Sequence, residues 1–122
     1  RWVLQYFGTE VMRGQMYDGI WVDSCIGRYK GQKTVIADVR FPNEAGMIHK
    51  LNGHVWRAMR GPDPVWFRMY QDIGVEPKEA HPSEWKWANV DFNAQVSNNG
   101  TLDDLKNQVQ GRLASTLRPV SA

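Results

Sequence analysis

The spacing of apolar positions changes several times along the chain, and each change marks an expected element. Trp2, Val3, Tyr6, Phe7, Val11 and Met12 recur three and four apart, the stripe of an amphipathic helix that Gly8 weakens without breaking. A second helix is expected from Asp18, a suitable N-cap, through Trp21, Cys25 and Tyr29 to a turn at Gly31. Thr34–Val39 is short, β-rich and almost wholly apolar between polar turns, which predicts a strand covered on both faces in a parallel sheet. Asn43 can cap a helix through Leu51, Asn52-Gly53 supplies its stop, and His54–Met59 reads as the next strand. Two strands joined by a helix make a right-handed βαβ unit, which places ligands at the C-terminal strand ends.

From Gly61 to Trp87 the periodicity fades while Pro, Trp and charged residues mix, so a long mobile excursion is expected there rather than a core element. Val90–Val96 regains strand character and Asn98-Asn99-Gly100 forms a turn. Thr101-Leu102-Asp103-Asp104 then resembles a capping box opening a last helix through about Leu117. The pattern as a whole predicts an α/β protein, a partial parallel sheet with flanking helices. It is read as one domain, residues 1–122, with 1–60 and 88–122 as core and 61–87 as a lid-like excursion.

Composition narrows the picture. A chain of 122 residues has room for one core, and 42% apolar with 23% charged residues is the balance of a globular protein. A formal charge of +2 permits anionic ligands without demanding nucleic acid. Cys25 is the single cysteine, so no internal disulfide can form and a cytoplasmic location is expected. No long apolar run and no secretory signal pattern is present, so no membrane partner is expected. The chain starts at Arg1 directly in a helical pattern, as a fragment does. His49 and His54 show no ligand spacing with Cys25, and no zinc site is expected.

Four segments carry a resemblance, in this order: Leu4-Gln5-Tyr6-Phe7-Gly8-Thr9-Glu10 with Arg13, Asp38-Val39-Arg40-Phe41-Pro42-Asn43-Glu44, His81-Pro82-Ser83-Glu84, and Ser97-Asn98-Asn99-Gly100-Thr101-Leu102. Together they resemble the deoxynucleoside monophosphate kinases of bacteriophages, P-loop enzymes related to adenylate and dephospho-coenzyme A kinases. The resemblance implies a P-loop kinase-like fold, transfer of phosphate from ATP to a deoxynucleoside monophosphate, and the host-cell cytoplasm as location. It implies that Asp38 holds Mg²⁺, through water, and that Arg40 contacts a nucleotide phosphate, to which a guanidinium fork is suited. Gln5 would read the base, Arg1 or Arg13 would hold the acceptor phosphate, and Glu10 would belong to the same pocket. Arg57, Arg60 and Arg68 are the candidate catalytic arginines, with Arg60 favoured by its place at a strand end. Asn98 and Asn99 would meet the adenine of the donor.

Each residue also has a plainer reading: Asp38 as a turn carboxylate, Arg40 as an ion pair with Glu44, Glu10 and Arg13 as an exposed helix pair, and the arginines of the excursion as a solvated loop. The phosphate-binding motif G-x-x-x-x-G-K-[ST] occurs in no window of the sequence. Mg²⁺ and ATP are therefore expected only for a complete enzyme. A missing N-terminal half, or another chain, would complete the sheet between Thr34–Val39 and His54–Met59. Two other classes stay open. One is a non-catalytic binding or regulatory protein derived from a kinase. The other is a single-stranded nucleic-acid binder stacking bases on Trp56, Trp66, Trp85 and Trp87, against which the acidic Asp63, Asp72, Glu76, Glu79 and Glu84 weigh.

Overall fold

A computed structural model describes residues 2–116. The chain opens with α1 (Trp2–Gln5), which widens into a π-helix over Tyr6–Met16 before α2 (Ile20–Arg28). The Tyr17 N–H reaches back five residues to the Met12 carbonyl at 3.2 Å, the bond that defines π winding. Gly8 and Gly14 lie inside this segment, where their poor α propensity lowers the cost of the wider turn. The apolar stripe expected here does not become a buried face, since Val3 and Phe7 stay exposed while Arg13 is only 5% exposed. That stripe presumes an α-helical period, and the wider winding turns a polar position inward.

α3 (Pro42–Lys50) begins two residues earlier than expected, with Pro42 at the first helical position, where its missing N–H costs nothing. Its N-cap is Phe41 rather than Asn43, and the open donors are met by Glu44, whose Oε2 accepts from the backbone N–H of Arg40 (2.8 Å) and Phe41 (3.2 Å). The stop is the one foreseen. Asn52 takes φ 58, its N–H donates to the His49 carbonyl, and the Gly53 N–H donates to the Ile48 carbonyl at 2.8 Å, a Schellman closure. A Cβ on Gly53 would meet the Ile48 side chain at 2.7 Å, so this glycine allows a close approach.

The sheet differs from expectation. Its two strands are β1 (Trp56–Met59) and β2 (Ala94–Ser97), parallel, with Trp56 opposite Ala94 and Met59 opposite Ser97. Thr34–Val39, expected as the partner of His54–Met59, is irregular with a bend at Ala37 and pairs with no strand among the described residues, and Val35 is 94% exposed. Apolar, β-branched composition measures fit to a sheet surface, and it cannot supply the neighbouring edge that makes a strand. The expected crossover through α3 is thus replaced by one through the segment after β1.

That segment was expected to lack core elements, and here too the structure differs. α4 (Val65–Ile73) is ended by Gly74 in the left-handed region, and two short 3₁₀ turns, Pro82–Glu84 and Lys86–Asn89, follow. Phe67, Trp85 and Ala88 are buried, in a core that also holds Phe41, Ala45, Met47, Val55 and Val96. The helical period is compressed into nine residues between Pro64 and Gly74, and the aromatics pack without any regular spacing. Trp87 lies 5.7 Å from Phe67, 6.3 Å from Trp66 and 6.3 Å from Phe92 between ring centres, and Tyr70 meets Trp85 edge-on at 5.0 Å.

α5 (Leu102–Thr116) opens with the expected box: Thr101 N–H donates to Asp104 Oδ2 at 2.9 Å and Asp104 N–H to Thr101 Oγ1 at 3.1 Å. The Thr101 backbone N–H first, and the Thr101 side chain second, hold the Asp104 carboxyl below its usual range. Gln108 fastens the helix to β2 by accepting from the Ser97 N–H and donating to the Ser97 carbonyl, both at 2.8 Å. Among the described residues no helix is long and apolar enough to cross a membrane.

Candidate functional site

A cleft of about 560 Å³ opens between the π-helical segment, α2, the irregular run before α3, and α3 itself. That volume lies in the range of small-molecule sites. Its wall includes Gln5, Arg13, Asp38, Arg40, Glu44 and Ser83, so residues far apart in sequence meet there. The apolar side is given by Trp21, Val22, Ile36, Met47 and Ile48.

Arg13 and Arg40 share this wall but differ in what they can do. The Arg13 guanidinium is already committed: Nη1 donates to the Asp18 carbonyl (3.0 Å), Asp18 Oδ1 (3.0 Å) and Asn43 Oδ1 (3.2 Å), and Nη2 to Glu44 Oε1 (2.6 Å). Its plane lies 3.9 Å over the Phe41 ring. It holds the π-helix, the Asp18 turn and the start of α3 together. Arg40 is half-buried and has no ion-pair partner among the described residues. The plain reading of Arg40 as the ion partner of Glu44 is replaced by the Arg13–Glu44 pair, because Glu44 spends its second oxygen on backbone donors. Glu10 does not pair with Arg13 either; its Oε1 faces His81 Nε2 at 2.8 Å.

Asp38 lies in the irregular run before α3, on the cleft wall rather than at the end of a sheet strand among the described residues. Among the described residues no group of three or more His, Cys, Asp or Glu side chains is gathered to hold a metal. One carboxylate fits Mg²⁺ only in the manner of an ion that keeps its waters and is shared with substrate phosphates.

The other candidates lie elsewhere. Arg57 is paired with Asp63 and its guanidinium sits 4.0 Å over Phe67 and 5.6 Å from Trp87, so it is packed into the aromatic core. Arg60 follows β1 and is exposed, and Arg68 is exposed on α4, where it lines a shallow second depression with Asp63 and Asp72. None of the three lines the cleft. Asn98 donates its N–H to the Met59 carbonyl at 2.7 Å, and Asn99 Oδ1 accepts from the Gly61 N–H at 2.6 Å, so both fasten the ends of β1 and β2. Arg1 lies outside the described residues.

The structure also assembles contacts that spacing gave no sign of. His81 sits between Glu10 and Ser83, with Nδ1 2.7 Å from Ser83 Oγ, and Gln5 Nε2 donates to Glu84 Oε1 at 2.6 Å. The motif His81-Pro82-Ser83-Glu84 therefore docks on the first helical segment through two side chains, His81 on Glu10 and Glu84 on Gln5, while Ser83 braces His81 from within the motif. Its separation of more than seventy residues from Gln5 and Glu10 is why no local pattern could pair them.

No family model matches the chain, and no solved structure does. Over 124 aligned residues the chain is 24% identical to a protein of Acanthamoeba polyphaga mimivirus described as "Putative deoxynucleotide monophosphate kinase". The alignment covers 89% of this chain and 58% of that protein, so the chain spans rather more than half the length of the curated relative it matches. The similarity supports a relation to kinases of nucleotide metabolism.

Proposed function

We propose that the cleft is the acceptor-nucleotide site of a deoxynucleoside monophosphate kinase of P-loop type, of which this chain supplies the nucleotide-binding part. The observation that carries the reading is convergence: Gln5, Asp38 and Arg40, assigned from separate motifs to base, metal and phosphate, line one cleft of nucleotide size. The similarity to the mimivirus protein supports the same class. Arg40 takes the monophosphate, since its guanidinium has no ion partner among the described residues and offers a fork to phosphate oxygens. Asp38 is the residue that would hold a hydrated Mg²⁺, which when bound would supply charge neutralisation for the phosphates. Arg13 acts one step back, by holding the wall on which Arg40 stands.

The sequence contains no phosphate-binding loop. In this reading the loop comes from an N-terminal half or another chain, which also supplies a strand beside the unpaired Thr34–Val39 and completes the sheet. Titration of the chain by calorimetry tests the proposal. A deoxynucleoside monophosphate is expected to bind more tightly than ATP, neither is turned over, and Arg40→Ala weakens the monophosphate by roughly tenfold or more while stability stays within about 1 kcal/mol. Unchanged monophosphate affinity in a folded Arg40→Ala variant would remove the phosphate assignment. Mg²⁺-dependent phosphoryl transfer by this chain alone would overturn the need for a separate loop.

A further inference from the structure

Two side chains that line the cleft have their hydrogen-bond polarity fixed by partners. Glu84 Oε1 lies 2.6 Å from the Gln5 amide, and a carboxylate offers only lone pairs, so the amide must turn its nitrogen towards Glu84. Gln5 Oε1 is left with no protein donor among the described residues. Ser83 is fixed in a similar way. His81 Nδ1 faces both the Ser83 backbone N–H at 3.3 Å and Ser83 Oγ at 2.7 Å, while Nε2 faces Glu10 Oε1 at 2.8 Å. One tautomer satisfies all three contacts: Nε2–H donates to Glu10, and Nδ1 is the acceptor. The Ser83 hydroxyl proton then goes to Nδ1, and what remains on Oγ is lone pairs. Gln5 and Ser83 both line the cleft, and Glu84, which clamps the first, is the chain neighbour of the second.

We propose that Gln5 Oε1 and Ser83 Oγ form a paired-acceptor subsite that selects a nucleobase by an exocyclic amino group, with Glu84 and the Glu10–His81 pair as positioning residues. The inference rests on the acceptor-nucleotide reading of the cleft and adds a specificity to it. An amino group donates to such a subsite. A carbonyl at the same place meets two acceptors, and because Ser83 is only 5% exposed the mismatch leaves lone pairs shut away from water, which discriminates more strongly than a missing contact at the surface.

Deamination exchanges a base amino group for a carbonyl with little change of shape, so the test uses dAMP against dIMP and dCMP against dUMP, with 2-deoxyribose 5-phosphate as the base-free probe. Affinities are read by NMR or calorimetric titration of the chain. The amino member of each pair is expected to bind roughly tenfold or more tightly than its deaminated partner. In Glu84→Gln the clamp can be met by either end of the Gln5 amide, and the ratio is expected to fall to within about threefold of one while the base-free probe is unaffected. Equal affinities in the wild-type chain, or a preference for the carbonyl members, overturn the subsite and leave the phosphate site standing. A wild-type ratio retained in Glu84→Gln overturns the clamp. Failure of every probe, the base-free one included, overturns both the subsite and the reading beneath it. The wild-type comparison needs no variant, so a Glu84→Gln chain that does not fold leaves the test intact.

Discussion

Two arginines on one wall illustrate how little residue type alone says about role. Arg13 has four hydrogen bonds and an aromatic ring beneath it, with a side chain 4% exposed. Its removal strands Glu44, whose side chain is 19% exposed, and empties the joint between three segments. Arg13→Ala is therefore expected to cost about 3 kcal/mol or more, as for other broken buried pairs, and to lower the midpoint of thermal unfolding measured by circular dichroism. A loss below about 1 kcal/mol would mean that the pair behaves as an exposed one. The sequence singles out both arginines as candidates for phosphate, and the difference in their partners was not legible there. It depends on which acceptors the fold brings within hydrogen-bond reach, and Asn43 and Glu44 lie about thirty residues from Arg13.

Among the elements, those whose signals are local were legible and those that depend on a distant partner were not. The stop of α3 at Asn52-Gly53 and the box at Thr101–Asp104 are set by backbone groups within a few residues, so both follow from the sequence. Thr34–Val39 had the composition of a strand and finds no strand neighbour among the described residues, and α4 was obscured by the prolines and tryptophans around it. The box makes a further prediction. The Asp104 carboxyl is held below its usual value by Thr101, so its contribution is present above the unfolded value and is lost as pH falls through the folded one. On acidification below about pH 4 the start of α5 should lose protection in hydrogen exchange, and Asp104→Ala, which removes the acceptor, should show the loss at neutral pH. A variant whose first turn stays protected at neutral pH would show that the cap bonds are not what holds it.

At the scale of the whole molecule, the parallel pair of strands has a consequence for how the chain folds. The residues flanking it that bond across, Val55 with Asn93 and Gly61 with Asn99, are 38 positions apart. Closing a loop of that length costs chain entropy before any ladder bond repays it, and a sheet of two strands has few such bonds. The repayment has to come from what lies inside the loop, where Phe67, Trp85 and Ala88 bury themselves and Arg57 stacks on Phe67. Formation of the sheet and collapse of the aromatic cluster should thus be a single kinetic event. Phe67→Ala, at a residue 2% exposed, is expected to destabilise the chain by about 3–5 kcal/mol. Stopped-flow refolding should place a large part of that loss in a slower folding rate, whereas an effect confined to unfolding would mean that the strands meet before the aromatics do. The segment that reads as a lid in the sequence would then be, in time, the part of the chain that folding waits for.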